Sequence, residues 1–245
     1  MLAFCYNVVM TNTPILAIDI DGPLALCVHT KAQRKNAQAR GFRQVNWRGK
    51  VRFVEGSTWV PYSELWLNPV HGSMLAKFSR EHDVELVWAS LWEFNANKVV
   101  APTLGLPRLP WVDFHGHADG PGFWKFRAMT DFAAGRPLAW LDDGFTRKAM
   151  QRELSGFDLS RRNLPTLLQE VDETIGVTQR DLDVVASWLK TARLAWGMAQ
   201  DEPKPPVWSS RRSTQRRFAF VDIEHSSMSD QEFIAALAMD GGPPF

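Results

Sequence analysis

The sequence predicts a three-layer α/β fold around a mainly parallel, five-stranded sheet. Short apolar runs of strand length alternate along the chain with stretches whose apolar residues repeat at helical spacing. Two of these runs, near residues 15–18 and 137–141, end directly in acidic residues followed by glycine. Because parallel strands present their carboxyl ends at one edge of a sheet, we expect these acids to face one cleft.

The composition is that of an ordinary globular protein. Of its 245 residues, 45% are hydrophobic and 22% are charged, which is enough for one sizeable core. A formal net charge of +1 excludes a protein that coats polyanions. Cys5 and Cys27 are too few for a disulfide framework and are interpreted as free thiols in a reducing compartment. Since no apolar run has the length of a membrane span, we expect a cytoplasmic protein without a membrane partner.

The first predicted strand ends in two acids, Asp19 and Asp21. Residues i and i+2 of a strand point to the same side, so the two carboxylates are expected to face the same cleft. Gly22 and Pro23 then turn the chain away. Two close carboxylates repel each other unless a cation lies between them or one of them holds a proton. The pair therefore favours a metal site, and an acidic turn on an ordinary surface loop is the alternative.

An insert at about 25–68 separates the first strand from the next predicted helix. Its polar, basic part, 27–43, is expected to form a solvated helix or a mobile arm. Residues 45–59 alternate apolar and polar, which predicts a β-hairpin or a pair of short strands. Its aromatic and basic side chains include Trp47, Arg48 and Lys50.

The next elements bring a hydroxyl and further strands. A helix is predicted over 70–80, and the strand over 84–90 ends in Ser90. A hydroxyl at this point can donate a hydrogen bond to a phosphoryl oxygen, although serine is also common at strand ends. A further short strand is predicted over 109–114.

A second group of charged residues follows in the chain. The helix predicted from Trp124 carries Lys125 in its first turn, and the strand over 137–141 ends in Asp142 and Asp143. Mg²⁺ takes oxygen ligands and keeps several waters. Asp19, one of these two aspartates and a backbone carbonyl are therefore sufficient for a magnesium site.

The last part of the chain completes the predicted domain. The fifth strand is predicted over 164–171, and Thr178 caps the helix that follows it. We expect a core domain over 14–196 and an extension over 197–245 that contains several prolines and an arginine cluster at 211–217. The sequence predicts no oligomeric state.

The order of these motifs resembles that of the haloacid dehalogenase-like (HAD) phosphohydrolases. The resemblance implies a Rossmann-like core, with the 25–68 insert as a small cap. It also implies phosphomonoester hydrolysis through an aspartyl phosphate, with Lys98 as a weaker candidate than Lys125 for the family's lysine. The catalytic residues it implies are Asp19, Asp21, Ser90 and Lys125. The Mg²⁺ ligands it implies are Asp19, Asp21, Asp142 and Asp143.

Two stretches, 87–97 and 164–168, are similar to the HAD domain of the Swiss Army knife RNA repair proteins. This similarity implies that the substrate is a nucleic-acid end, such as an RNA or DNA 3′-phosphate. Side chains that would bind it are Trp47, Arg48, Lys50 and Trp92. Alternatively, the tryptophans belong to the core and the arginines only solvate the surface. A phosphatase for a small metabolite or nucleotide, and a non-catalytic binding or adaptor module, are the other two interpretations.

Overall fold

The computed structural model describes residues 13–52, 59–114, 124–161 and 164–201. Its strands are β1 (Ile15–Ile18), β2 (Arg43–Arg52), β3 (Trp59–Leu67), β4 (Glu85–Trp88), β5 (Leu138–Asp142) and β6 (Thr166–Glu170). Its helices are α1 (Lys31–Ala39), α2 (Pro69–His82), α3 (Phe94–Leu104), α4 (Trp124–Ala133), α5 (Lys148–Arg161) and α6 (Gln179–Asp201).

A parallel sheet with the strand order β4-β1-β5-β6 forms the centre of the fold. Alternation along β1 sends Leu16 and Ile18 to one face and Ile15 and Ala17 to the other. Helices α2, α3 and α6 pack on the first face, and α4 and α5 pack on the second. The predicted three-layer α/β arrangement is therefore confirmed, and β1 lies inside the sheet with a strand on each side.

The prediction of five strands is wrong for the described residues, where the sheet has four. The predicted strand over 109–114 makes only one parallel bridge, between Trp111 and Trp88 of β4. Pro110 has no N–H to donate, which limits the ladder. The N–H of Phe114 donates to the Glu93 carboxylate at 3.1 Å instead of to a strand.

The insert after β1 forms the predicted helix and hairpin. Helix α1 begins at a capping box in which Thr30 and Gln33 satisfy each other's backbone N–H groups. Strands β2 and β3 pair antiparallel, with a bulge between Asn46 and Gly49. The hairpin is longer than predicted, and its connection, 53–58, lies outside the described residues.

At the end of the described chain, α6 begins after Thr178, as predicted, and continues to Asp201. Residues 202–245, which hold most of the predicted extension and its arginine cluster, lie outside the described residues. Among the described helices, none combines the length and the apolar character that crossing a membrane requires.

One buried histidine makes the fold sensitive to acid. His71, on α2, is only 6% exposed, and its ring packs edge-on against Phe42 with 5.3 Å between ring centroids. Burial, with a smaller contribution from the positive charge of Arg40, lowers the pKa of His71 to about 4. The folded protein therefore keeps this imidazole neutral at pH values where an unfolded chain protonates it.

We expect the contribution of His71 to the free energy of unfolding to fall as the pH is lowered from about 6.5 to about 4. Over this interval the unfolded state binds a proton at His71 that the folded state does not, a difference of up to about 3 kcal/mol. Urea denaturation at pH 7.5 and pH 4.5 measures it. The free energy of unfolding at pH 7.5 minus that at pH 4.5 should be smaller in His71→Leu than in the wild type, whereas His29→Leu, at an exposed position, should leave it unchanged. An unchanged difference in His71→Leu would contradict the assignment.

Candidate metal and active site

Asp19 follows the central strand directly and is held in place by the backbone. Its N–H donates to the carbonyl of Leu141 in β5 at 2.9 Å, and its Oδ1 accepts the N–H of Ile20 at 2.7 Å. The residue is only 6% exposed. One carboxylate oxygen is therefore fixed by the chain, and Oδ2 remains for contacts with other residues.

The chain turns sharply after Asp21, and Gly22 makes this turn possible. Gly22 has a φ of +88°, and its N–H donates to the carbonyl of Ala25 at 2.9 Å. A Cβ at this position would lie 2.6 Å from Cγ of Asp143. Glycine is therefore required both by the backbone conformation and by the close approach of the Asp143 carboxylate.

Asp142 and Asp143 lie at the carboxyl end of β5, beside Asp19. Asp142 is 1% exposed, and its Oδ1 accepts the N–H of Gly144 at 2.9 Å. Oxygens of Asp19, Asp142 and Asp143 all lie within 4.8 Å of one another. Sequence reasoning predicted this convergence, and it follows from the pairing of β1 with β5.

Lys125, in the first turn of α4, connects two of these carboxylates. Its Nζ donates to Oδ2 of Asp19 at 2.5 Å and to Oδ2 of Asp142 at 3.0 Å. Burial alone would lower the pKa of Lys125, but the two carboxylates raise it above its usual range. The ammonium group therefore remains charged inside the protein. Lys98, the weaker candidate, is exposed on α3 and lies over the ring of Phe94.

The site holds more negative charge than its cations balance. Burial, together with the nearby Asp19 carboxylate, raises the pKa of Asp142 to about 7 despite the contact with Lys125. Burial also raises the pKa of Asp143 to about 6, although Arg147 opposes this. These raised pKa values mean that the ionised carboxylates are poorly stabilised at the site. A hard divalent cation would stabilise them. The donor set of these residues fits such an ion.

Ser90 and Asp21 line the same cavity as the three acids, and this cavity has a volume of about 460 Å³. Ser90 is 1% exposed and follows β4 by two residues. Asp21 is half-buried, and its side chain does not belong to the group of three close carboxylates. The structure thus brings the four predicted catalytic residues to one cavity, but it does not group the Asp21 carboxylate with the predicted metal ligands.

Trp92 has a different place from the one that the sequence predicts. Its side chain is fully buried, so it presents no open face for stacking on a substrate. Its indole N–H donates to Oδ2 of Asp21 at 3.1 Å, and its ring packs against Trp47 of β2 with 4.8 Å between ring centroids. Trp92 therefore connects the hairpin to Asp21. For this tryptophan, packing in the core, the alternative interpretation, is correct.

The other predicted substrate contacts, Trp47, Arg48 and Lys50, all lie on β2. Trp47 is half-buried and packs against the core. The backbone of Arg48 and Lys50 forms part of β2, and their side chains lie outside the described part of the structure.

Sequence reasoning missed three residues that line the cavity: Cys27, Arg147 and Glu173. Arg147 forms an ion pair with Asp143 and a second one with Glu173 at 3.3 Å. Asp143 and Arg147 lie only four residues apart in the loop between β5 and α5, and this short spacing of opposite charges could have indicated the first pair. Partial burial, then the nearby Asp21 carboxylate, raises the pKa of the Cys27 thiol.

No family model, curated protein or solved structure matches this chain.

Replacing Gly22 by alanine is expected to destabilise the protein more than the same change at Gly135. Both glycines have a φ of +88°, where a Cβ costs about 1–2 kcal/mol, but a Cβ at Gly135 meets nothing within 4 Å. Only Gly22→Ala must also displace Asp143. Urea denaturation of the two variants measures the difference, and equal losses would show that the contact with Asp143 costs nothing.

Proposed function

We propose that this protein is a magnesium-dependent phosphomonoesterase of the HAD type that acts through an aspartyl phosphate on Asp19. The observation that carries the proposal is the position of the Lys125 ammonium between the carboxylates of Asp19 and Asp142, in the wall of a cavity that Asp143 also lines. Phosphoryl transfer of this type requires a nucleophile, a fixed cation and carboxylates that can bind a metal ion, and all of these lie at one edge of the sheet.

Asp19, Asp142 and Asp143 would hold the magnesium ion. The ion, when bound, supplies positive charge that reduces the repulsion between the attacking carboxylate and the phosphate. Asp21 is assigned the transfer of protons rather than a ligand role for its side chain, because its carboxylate is outside the group of three.

The proposed reaction has two displacements at phosphorus. In the first, an oxygen of Asp19 bonds to phosphorus while the ester P–O bond breaks, and protonated Asp21 gives its proton to the leaving oxygen. In the second, water attacks the same phosphorus and gives a proton to Asp21, while the bond to Asp19 breaks. Free inorganic phosphate leaves, and both aspartates return to their starting states.

Ser90 and Lys125 position the groups that react. The Ser90 hydroxyl lines the cavity and can donate to a phosphoryl oxygen. Lys125 holds Oδ2 of Asp19, which orients the nucleophile, and its charge reduces the repulsion among the acids. Both residues are buried, so water competes little with these contacts.

For the substrate, the resemblance supports a nucleic-acid end such as an RNA or DNA 3′-phosphate. The burial of Trp92 removes one of the stacking residues on which that proposal depended. A phosphatase for a small metabolite or nucleotide uses the same site, and the cavity volume of about 460 Å³ suits either leaving group. A non-catalytic module would bind magnesium ions without turning over any phosphate ester.

Magnesium ions are expected to raise the thermal unfolding midpoint at pH 8. A ligand that binds only the folded state stabilises it, and here it also relieves repulsion among carboxylates. The increase should be smaller at pH 5.5, where Asp142 and Asp143, with pKa values of about 7 and about 6, hold protons.

Asp142→Asn should remove most of the increase, whereas Asp158→Asn, at an exposed position on α5, should retain it. Differential scanning fluorimetry measures the midpoints. Equal increases in the two variants would contradict the assigned ligands.

Asp19→Asn is expected to abolish hydrolysis of an aryl phosphate in the presence of Mg²⁺, because an amide oxygen is a poor nucleophile. The rate should fall by about a thousandfold or more, by comparison with the loss of a catalytic nucleophile in other enzymes. Release of the aryl alcohol is measured by absorbance, with Asp158→Asn as the control that keeps activity. If Asp19→Asn retained the full rate, Asp19 would not be the nucleophile.

A further inference from the structure

We propose that Arg147 binds a second anionic group of the substrate, next to the phosphoryl group that is removed. This inference rests on the proposed phosphomonoesterase function and narrows its substrate class to phosphate esters with another phosphate or carboxylate nearby. The argument starts from the position of Arg147 on the cavity that holds Asp19 and Lys125.

Arg147 is placed where a ligand can reach it. Its side chain is 62% exposed, whereas that of Lys125, the other cation on the cavity wall, is 11% exposed. Lys125 is also committed to Asp19 and Asp142. Within the part of the chain that the structure describes, Arg147 is therefore the cationic side chain of this cavity that remains accessible to a substrate.

The charge on the cavity wall makes such a cation necessary. Lys125 and Arg147 are its only cationic side chains among the described residues. Its carboxylates are Asp19, Asp21, Asp142, Asp143 and Glu173. A substrate with two anionic groups would be repelled by this wall unless each group met a positive charge. The metal site and Lys125 serve the transferred group, which leaves Arg147 for the second one.

The present partners of Arg147 can release it. Its pair with Glu173 joins side chains that are 62% and 51% exposed, and a solvated pair of this kind is weak. Its other partner, Asp143, belongs to the candidate cation site. Once the charge of Asp143 is engaged by a divalent cation, its attraction for the guanidinium decreases.

The chemistry of the guanidinium group and the shape of the cavity define the ligand. A guanidinium presents two parallel N–H donors, which match the oxygens of a phosphate or a carboxylate. Leu91 and Met150 also line the cavity and provide apolar surface for the carbon skeleton between the two anions. The second anion can belong to a small molecule or to the phosphodiester backbone of a nucleic acid.

Two pairs of substrates test the proposal and separate these sources. The small-molecule pair is ethyl phosphate and phosphoglycolate, which differ by a carboxylate. The nucleic-acid pair is a nucleoside 3′-phosphate and a dinucleotide with the same 3′-phosphate, which differ by a phosphodiester. For at least one pair, Arg147→Ala should raise KM by about tenfold or more for the member with two anions. The change for the other member should be less than about threefold, with little change in kcat.

Further variants separate recognition from general damage. Arg147→Lys should restore part of the loss, because it keeps the charge but not the pair of parallel donors. Glu173→Gln, which removes a competing acceptor, should lower KM for the substrate with two anions. Arg127→Ala, at an exposed arginine of α4, should change nothing. Equal effects of Arg147→Ala on both members of each pair, or no effect on any, would overturn the proposal.

A binding measurement distinguishes failure of this proposal from failure of the proposed function. Phosphoglycolate and the dinucleotide 3′-phosphate are titrated by calorimetry into Asp21→Asn protein with Mg²⁺, with and without Arg147→Ala, because Asp21→Asn removes the proton donor but leaves the three proposed ligands of the ion. If the wild type hydrolyses none of the esters but binding depends on Arg147, the enzyme assignment fails and the anion site stands. If neither probe binds, or binding is the same without Arg147, the anion site fails regardless of activity.

Discussion

The candidate site depends on one buried ammonium group, that of Lys125, which lies between carboxylates at the ends of two neighbouring strands. The pairing of β1 with β5 forces Asp19 and Asp142 close together in a place that water scarcely reaches. Removing one partner from such a buried pair is strongly destabilising, because a charge then remains without compensation. The lysine therefore makes it possible to bury the acids at all.

Lys125 reaches this place because α4 is anchored on the sheet. Phe126 and Met129 are buried in the core on that face, and the Phe126 ring packs against Trp140 of β5 with 5.6 Å between centroids. Packing of the apolar side of α4 thus fixes the height of its first turn. Hydrophobic contacts in the core therefore hold the Lys125 ammonium in place at the edge of the sheet.

The hairpin is connected to the same site through aromatic contacts. Trp47 of β2 packs on Trp92, whose indole N–H donates to Asp21. A movement of β2 would therefore change the contacts of the proposed proton-transfer group. The next residue, Glu93, has a φ of +45°, which is rare for a residue with a side chain. Its carboxylate accepts the N–H of Phe114, which helps to hold this conformation.

Much of the fold and of the site could be predicted from local sequence patterns. Strands that end in acids, a serine just beyond β4, and a lysine in the first turn of a helix are each visible within a few residues. Helix α2, strand β6 and the hairpin in the insert were predicted for the same reason. The strand over 109–114 failed because its proline and the side chain of Glu93 leave few backbone groups free for a ladder.

The sequence by itself determined which residues end the strands, because alternation, chain breakers and strand length act over short distances. The tertiary structure alone decided that Trp92 is buried and donates to Asp21, and that Arg147 pairs with Glu173 as well as with Asp143. The contacts of Trp92 with Asp21 and of Arg147 with Glu173 join residues from separate loops, and no periodicity in the chain encodes them. They arise only when parallel strands place their carboxyl ends at one edge and the loops must share the space above it.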